Sequence, residues 1–213
     1  ETLAEYKRAY DDFSVGAIPR VLGKILVKFG DIVYGTEPSY GKFKSLEVIA
    51  RIPYQSWEVM SYMLLTMFYS NESRALELSR TSRFSRASQD NETMHVVVMS
   101  KLAKQYGEDS LIKHTLVPLL FSFFYFVASC LLYLFNPRAA LELNYLFESH
   151  AFAQYTRFIE KSGATLKTKP VMIDFLDFYG RHVKSEYELF MSIRSDEIIH
   201  RNVTAHRAEE YKK

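Results

Sequence analysis

At 213 residues the chain is long enough for one domain, 1–213, with a sizeable core, and a net charge of +2 with no basic run interleaved with aromatics excludes a nucleic-acid groove. Sixteen Phe and 15 Tyr against 8 Gly and 6 Pro favour long helices over a turn-rich β fold. The lone Cys130 excludes an internal disulfide and any cysteine zinc site, and its neighbours Ala128, Leu131 and Leu132 make it a packed apolar thiol.

The first residues, ETLAEYKRAYDDF, lack a basic n-region and an apolar h-region, so they do not read as a signal peptide. Residues 17–34, AIPRVLGKILVKFGDIVY, place apolar side chains on one helical face with Arg20, Lys24 and Lys28 elsewhere. That pattern predicts a basic amphipathic helix of the kind that lies in a membrane interface. Residues 42–69 form a second predicted helix, kinked at Pro53, with Glu47 and Glu58 in apolar company. The Ser/Arg-rich stretch SNESRALELSRTSRFSRASQDN reads as a loop with room for a short helix. The next helix, about 88–106, stops at Gly107.

A fourth helix is expected over about 111–135, and within it residues 115–135, TLVPLLFSFFYFVASCLLYLF, carry no charge over a length that could cross about 30 Å of hydrocarbon. Pro118, Ser122 and Ser129 interrupt them, which favours monotopic insertion over a true span. Asn136-Pro137 opens a helix over about 137–160 that carries Glu142 and Glu148, ended by KSGATLKTKP. A short helix and loop over 170–182 lead to a last helix, about 183–206.

Two of these helices repeat one spacing. NETMH gives Glu92 and His95, and DEIIH gives Glu197 and His200, each pair three apart and followed or flanked by an apolar face. Positions i and i+3 are surface neighbours on a helix, so each pair could hold one metal ion. A single such pair is more often a surface ion pair. In chain order, however, a helix with a buried glutamate precedes each Glu-x-x-His helix, which is the donor arrangement of ferritin-like di-iron bundles. Carboxylates bridge the metals and balance their charge, while imidazoles complete each coordination sphere. Spacing leaves Glu47 competing with Glu58, and Glu148 with Glu142.

LEVIARIPY (46–54), NETMH (91–95), NPRAA (136–140), FESHAFAQYTRF (147–158) and IRSDEIIH (193–200) together resemble the alternative oxidase family, in its plastid terminal oxidase branch, over roughly residues 20–206. The resemblance implies an all-α, ferritin-like four-helix bundle with a di-iron centre, plus two membrane-interface helices. It implies the ligand set Glu47, Glu92, His95, Glu148, Glu197 and His200 for two non-haem iron ions. Tyr155 matches a redox-active tyrosine, and Asn91 and Asp196 match residues that hold the ligand histidines. Lys42, Leu46, Ala151 and Gln154 fall at quinol-pocket positions. Lys42 stands where an arginine is usual and Val48 where a threonine is usual, so the departures from the family touch the pocket and no ligand.

The function so implied is electron transfer from a membrane quinol, plastoquinol or ubiquinol, to dioxygen, giving quinone and water without proton pumping. The expected setting is monotopic attachment to the lipid of a thylakoid or other photosynthetic or respiratory membrane, as a homodimer. The alternatives are another ferritin-like di-iron protein, a ferroxidase or lipid hydroxylase, and a membrane-surface scaffold whose acids and histidines make only ion pairs.

Overall fold

A computed structural model describes residues 3–211 of the chain. In chain order it contains α1 (Leu3–Arg8), α2 (Ala17–Tyr34), α3 (Tyr40–Phe68) and α4 (Glu72–Gln105). A π-helical turn, Ile112–Leu116, runs directly into α5 (Val117–Phe135), followed by α6 (Pro137–Thr168), α7 (Phe175–Phe178) and α8 (Glu186–Glu210). No strand forms among the described residues, and the expected all-α bundle class is the one found. The chain divides into two compact units, Tyr40–Pro137 and the segments Glu1–Ser39 and Arg138–Lys213. The four long helices that carry the glutamates and histidines are therefore two to a unit.

In the unit Tyr40–Pro137, α3 packs against both α4 and α5. Pro53 sits inside α3, and the Ser56 hydroxyl donates to the Pro53 carbonyl at 2.7 Å. Buried Tyr54 and Trp57 meet edge to face, with Phe84 of α4 against Tyr54 and Tyr133 of α5 against Trp57. Helix α5 buries Pro118, Ser122, Tyr125, Ser129 and Tyr133, one stripe at helical spacing. Two of its hydroxyls find partners on α3: Ser129 with Ser56 at 2.6 Å, and Tyr133 with Ser61 at 3.4 Å. The opposite face exposes Leu119, Leu120, Phe123, Phe124, Val127 and Leu131.

The stretch expected to be a loop before residue 88 is instead the first half of α4. Asn71 caps it, its side chain accepting from the Arg74 N–H at 3.1 Å, and Leu78, Thr81, Ser82, Ser85 and Ser88 are buried along it. Small hydroxyl side chains at i, i+3 and i+4 let two helices approach closely, so the polar composition that argues for a loop serves helix packing. At the other end, α4 terminates as expected at Gly107, which takes φ +70°.

In the other unit, α6 continues past the expected end near 160 to Thr168, stopping just before Lys169-Pro170, where proline disfavours helix in the residue before it. Gly163 sits within 3.4 Å of the Tyr187 ring at an added Cβ position, so that glycine serves a close approach to α8 rather than a break. Helix α8 begins at Glu186, with the Ser185 side chain accepting from the Glu188 N–H at 3.3 Å, and extends to Glu210. The N-terminal arm before α2 is fastened to these helices. Arg201 donates to the Asp11 carboxylate at 2.8 Å and to the Lys7 carbonyl, Asn202 donates to the Tyr6 carbonyl at 2.6 Å, and the Tyr145 hydroxyl donates to the Tyr10 carbonyl at 2.6 Å. Val15, Tyr145 and Ala205 form the buried cluster beneath it.

Candidate metal centre

Each unit gathers one carboxylate-and-imidazole triad. In the unit Tyr40–Pro137, Glu47 on α3 and Glu92 and His95 on α4 are 2%, 0% and 0% exposed. The His95 Nδ1 atom lies 3.4 Å from Glu47 Oε2 and 3.4 Å from Glu92 Oε2. One donor atom from each of the three lies within 4.8 Å of the others. Burial pushes the Glu47 carboxyl up to about 7, with His95 opposing the shift and the Glu92 carboxylate reinforcing it.

In the other unit, Glu148 on α6 and Glu197 and His200 on α8 are buried in the same way, and their donor atoms also approach within 4.8 Å. Glu148 Oε2 is 3.9 Å from His200 Nδ1. The other carboxylate oxygen, Oε1, accepts a 3.0 Å hydrogen bond from the side-chain amide of Asn144, one turn earlier on α6, and that amide also reaches the Thr204 hydroxyl at 3.5 Å.

The two glutamates that spacing left in competition are committed elsewhere. Glu58 pairs with Arg86 at 2.8 Å and accepts from Gln89 at 3.4 Å. Glu142 takes Arg138 on one oxygen at 2.7 Å and the Gly16 backbone N–H on the other at 2.9 Å, so it ties the N-terminal arm to α6. Neither belongs to a triad.

The remaining expected site residues fall as follows. Asp196 holds both oxygens on Arg181 at 2.7 Å, and that guanidinium also bonds the Ser192 hydroxyl. Asn91 is half-buried beside Glu92. Tyr155 is 1% exposed, two turns after Glu148 on α6, with its ring tilted against Phe190 of α8 at 5.9 Å. Lys42 is buried on α3 and Leu46 half-buried one turn later; on α6, Ala151 is half-buried and Gln154 buried. The Gln154 side-chain carbonyl oxygen has no hydrogen-bond partner among the described residues, which is unusual for a buried acceptor.

Sequence reasoning missed Asn144 and Arg181. Asn144 had a signal, since an amide four residues before a ligand candidate lies over it on the helix. Arg181 had none, because it arrives from the loop after α7.

The donors suit a hard or borderline transition-metal cation. There are carboxylates and imidazoles but no thiolate, which argues against structural zinc and iron–sulfur chemistry. Clustered carboxylates removed from water are costly unless a cation compensates them, and the raised Glu47 carboxyl registers that cost. One glutamate from each of α3 and α6, with a Glu-x-x-His from each of α4 and α8, is the helix-by-helix inventory of the ferritin-like di-metal carboxylate proteins.

The chain is 25% identical over 195 residues to ubiquinol oxidase 4, chloroplastic/chromoplastic, from Arabidopsis thaliana, a match that covers 82% of this chain and 52% of that protein. The chain thus spans about half the length of the curated relative it matches. No solved structure matches it. The family model described as alternative oxidase matches residues 10–209, nearly the whole chain, and the protein therefore belongs to the alternative oxidase family.

Proposed function

We propose that the protein is a non-haem di-iron quinol oxidase in which Glu47, Glu92, His95, Glu148, Glu197 and His200 ligate two iron ions. The observation that carries this reading is the pair of buried triads, one donor set to a unit, in a chain that belongs to the alternative oxidase family. Two quinols, plastoquinol or ubiquinol, would deliver four electrons to one dioxygen, giving two quinones and two waters without proton translocation. The iron pair, when bound, supplies the redox chemistry that reduces dioxygen.

The protein residues do the rest. The carboxylates offset the metal charge, and a glutamate whose carboxyl sits near neutrality in the metal-free protein releases its proton when a metal takes its place. Arg181 fixes Asp196, which precedes the ligand Glu197. Tyr155, buried on the Glu148 helix against Phe190, is placed in a dry environment suited to one-electron donation. Lys42, Leu46, Ala151 and Gln154 are the quinol-contacting residues in this reading, and the buried acceptor on Gln154 is ready for a quinol hydroxyl.

A quinol lives in lipid, so its oxidase must meet lipid. The helix Ile112–Phe135 is apolar and long enough to cross a membrane by length and composition. Its hydroxyl stripe nevertheless packs on α3 while its other face is bare hydrocarbon. That sidedness supports monotopic attachment to a thylakoid or other photosynthetic or respiratory membrane. A homodimer completes the proposal by family membership.

The test is iron content together with oxygen uptake driven by a panel of quinols. Glu148→Ala is expected to lose iron and quinol-driven uptake, while Glu142→Ala keeps its iron. Uptake driven by ferrous ion alone, with no response to quinol, would make the protein a ferroxidase instead.

A further inference from the structure

We infer that the flank of α2 facing α6 is a headgroup site for an anionic membrane lipid. The inference rests on the proposed membrane attachment and specifies the lipid that α2 selects.

Helix α2 has three faces. Pro19 and Gly23 are buried, and at Gly23 α6 comes close, an added Cβ lying 2.9 Å from Leu146 Cδ1. Ile18, Val21, Ile25, Phe29 and Ile32 are 44% to 73% exposed on the outward face. Between these two, at 100° per residue, Arg20, Lys24 and Lys28 form a single basic row. That row borders a groove of about 380 Å³ whose other wall is Leu146 and His150 of α6. Asp31, one turn beyond Lys28, closes one end.

The charges in the groove are not consumed by the fold. Lys24 and Lys28 are exposed and form no ion pair with the described residues, and Arg20 donates only to the Val15 carbonyl at 2.7 Å. A helix lying in an interface sinks its apolar face among acyl chains, so the flanking row sits at headgroup depth. There three cations in succession beside an apolar wall complement one phosphate, with its acyl chains running along the outward face. A zwitterionic headgroup would bring its own cation into the same row and gain less.

Flotation of the iron-loaded full chain with vesicles tests this. The wild type is expected to bind phosphatidylcholine vesicles doped with phosphatidylglycerol more tightly than vesicles of phosphatidylcholine alone. Lys24→Gln/Lys28→Gln should cut binding to the doped vesicles by roughly fivefold per lysine and leave binding to phosphatidylcholine unchanged. Adding Ala164→Lys and Met172→Lys to that double variant restores net charge at exposed positions away from the groove and should not restore the preference. Restoration would mean diffuse attraction and overturn the site. Equal binding of the wild type to both vesicles would overturn the lipid class alone, whereas no flotation with either would overturn the membrane attachment itself. Displacement from doped vesicles by free glycerol phosphate would make the ligand a soluble phosphate and overturn the lipid assignment.

Discussion

Glu47 carries the electrostatic cost of gathering carboxylates away from water. Its carboxyl titrates near 7 because burial disfavours the charged form. A raised folded-state value favours the protonated folded protein, so the resulting stability is complete below about 4.5 and lost as pH rises through about 7. The metal-free protein should therefore melt at progressively lower temperature across that window, by a few kcal/mol in all. Glu47→Gln should flatten the profile, and iron loading should remove the trend because ligation requires the carboxylate. Asn144 works on the same chemistry from the other triad. It holds Glu148 Oε1 while Oε2 faces His200, so on the proposed ligand set Asn144→Leu should weaken iron affinity about 10- to 100-fold in a metal titration, with the helix content unchanged by circular dichroism. The two Glu-x-x-His pairs were legible because i, i+3 spacing is a property of one helix. The choice of Glu47 over Glu58 was not legible from spacing, since it depends on Arg86, 28 positions away; for Glu142 the Arg138 partner four residues earlier was a local signal, but the Gly16 N–H that takes its other oxygen, 126 positions away, was not.

At the scale of elements, two glycines in helices make contrasting demands. An added Cβ at Gly41 in α3 would lie 2.5 Å from the Glu108 carbonyl oxygen and 2.7 Å from the His114 ring, in the segment where Lys44 also binds Asp109 at 2.6 Å. Backbone cannot yield cheaply, so Gly41→Ala should cost about 2 kcal/mol in denaturant unfolding. Gly23→Ala meets only the flexible tip of Leu146 and gains helix propensity, so its net effect should fall within about 1 kcal/mol. Helix α2 was legible to the residue and the end of α5 likewise, because their apolar patterns are strong and Gly or Pro flanks them, whereas the helix expected from about 111 begins as the π-helical turn Ile112–Leu116 and becomes α-helical only at Val117. The first half of α4 was not, because its serines and threonines are buried against a neighbouring helix, and composition reads them as loop. The end of α6 was misjudged at Gly163 for a related reason: the glycine answers to Tyr187, a contact that lies 24 positions away in the chain and is invisible to local pattern.

For the whole molecule, the unit made of Glu1–Ser39 and Arg138–Lys213 joins two segments far apart in the chain, a pairing that no local pattern records. The apolar surface was plainer. Phe123 and Phe124 are 66% and 63% exposed on the same bare face of α5, far more than a water-facing helix needs. Phe123→Asn/Phe124→Asn should lower binding to every vesicle composition by roughly tenfold or more per residue, read by flotation, with iron content intact. That uniform loss differs from the composition-dependent loss expected of the lysines on α2.

The N-terminal arm has a practical consequence for anyone who handles the protein. Arg201 and Asn202 grip residues 6, 7 and 11 in the very turn that presents His200. A protease nick or a bulky fusion within that arm would tug on the α8 turn that carries His200, a ligand in the proposed reading. Preparations cut there should arrive iron-poor while still looking helical, a fault easily mistaken for poor metal supply during expression.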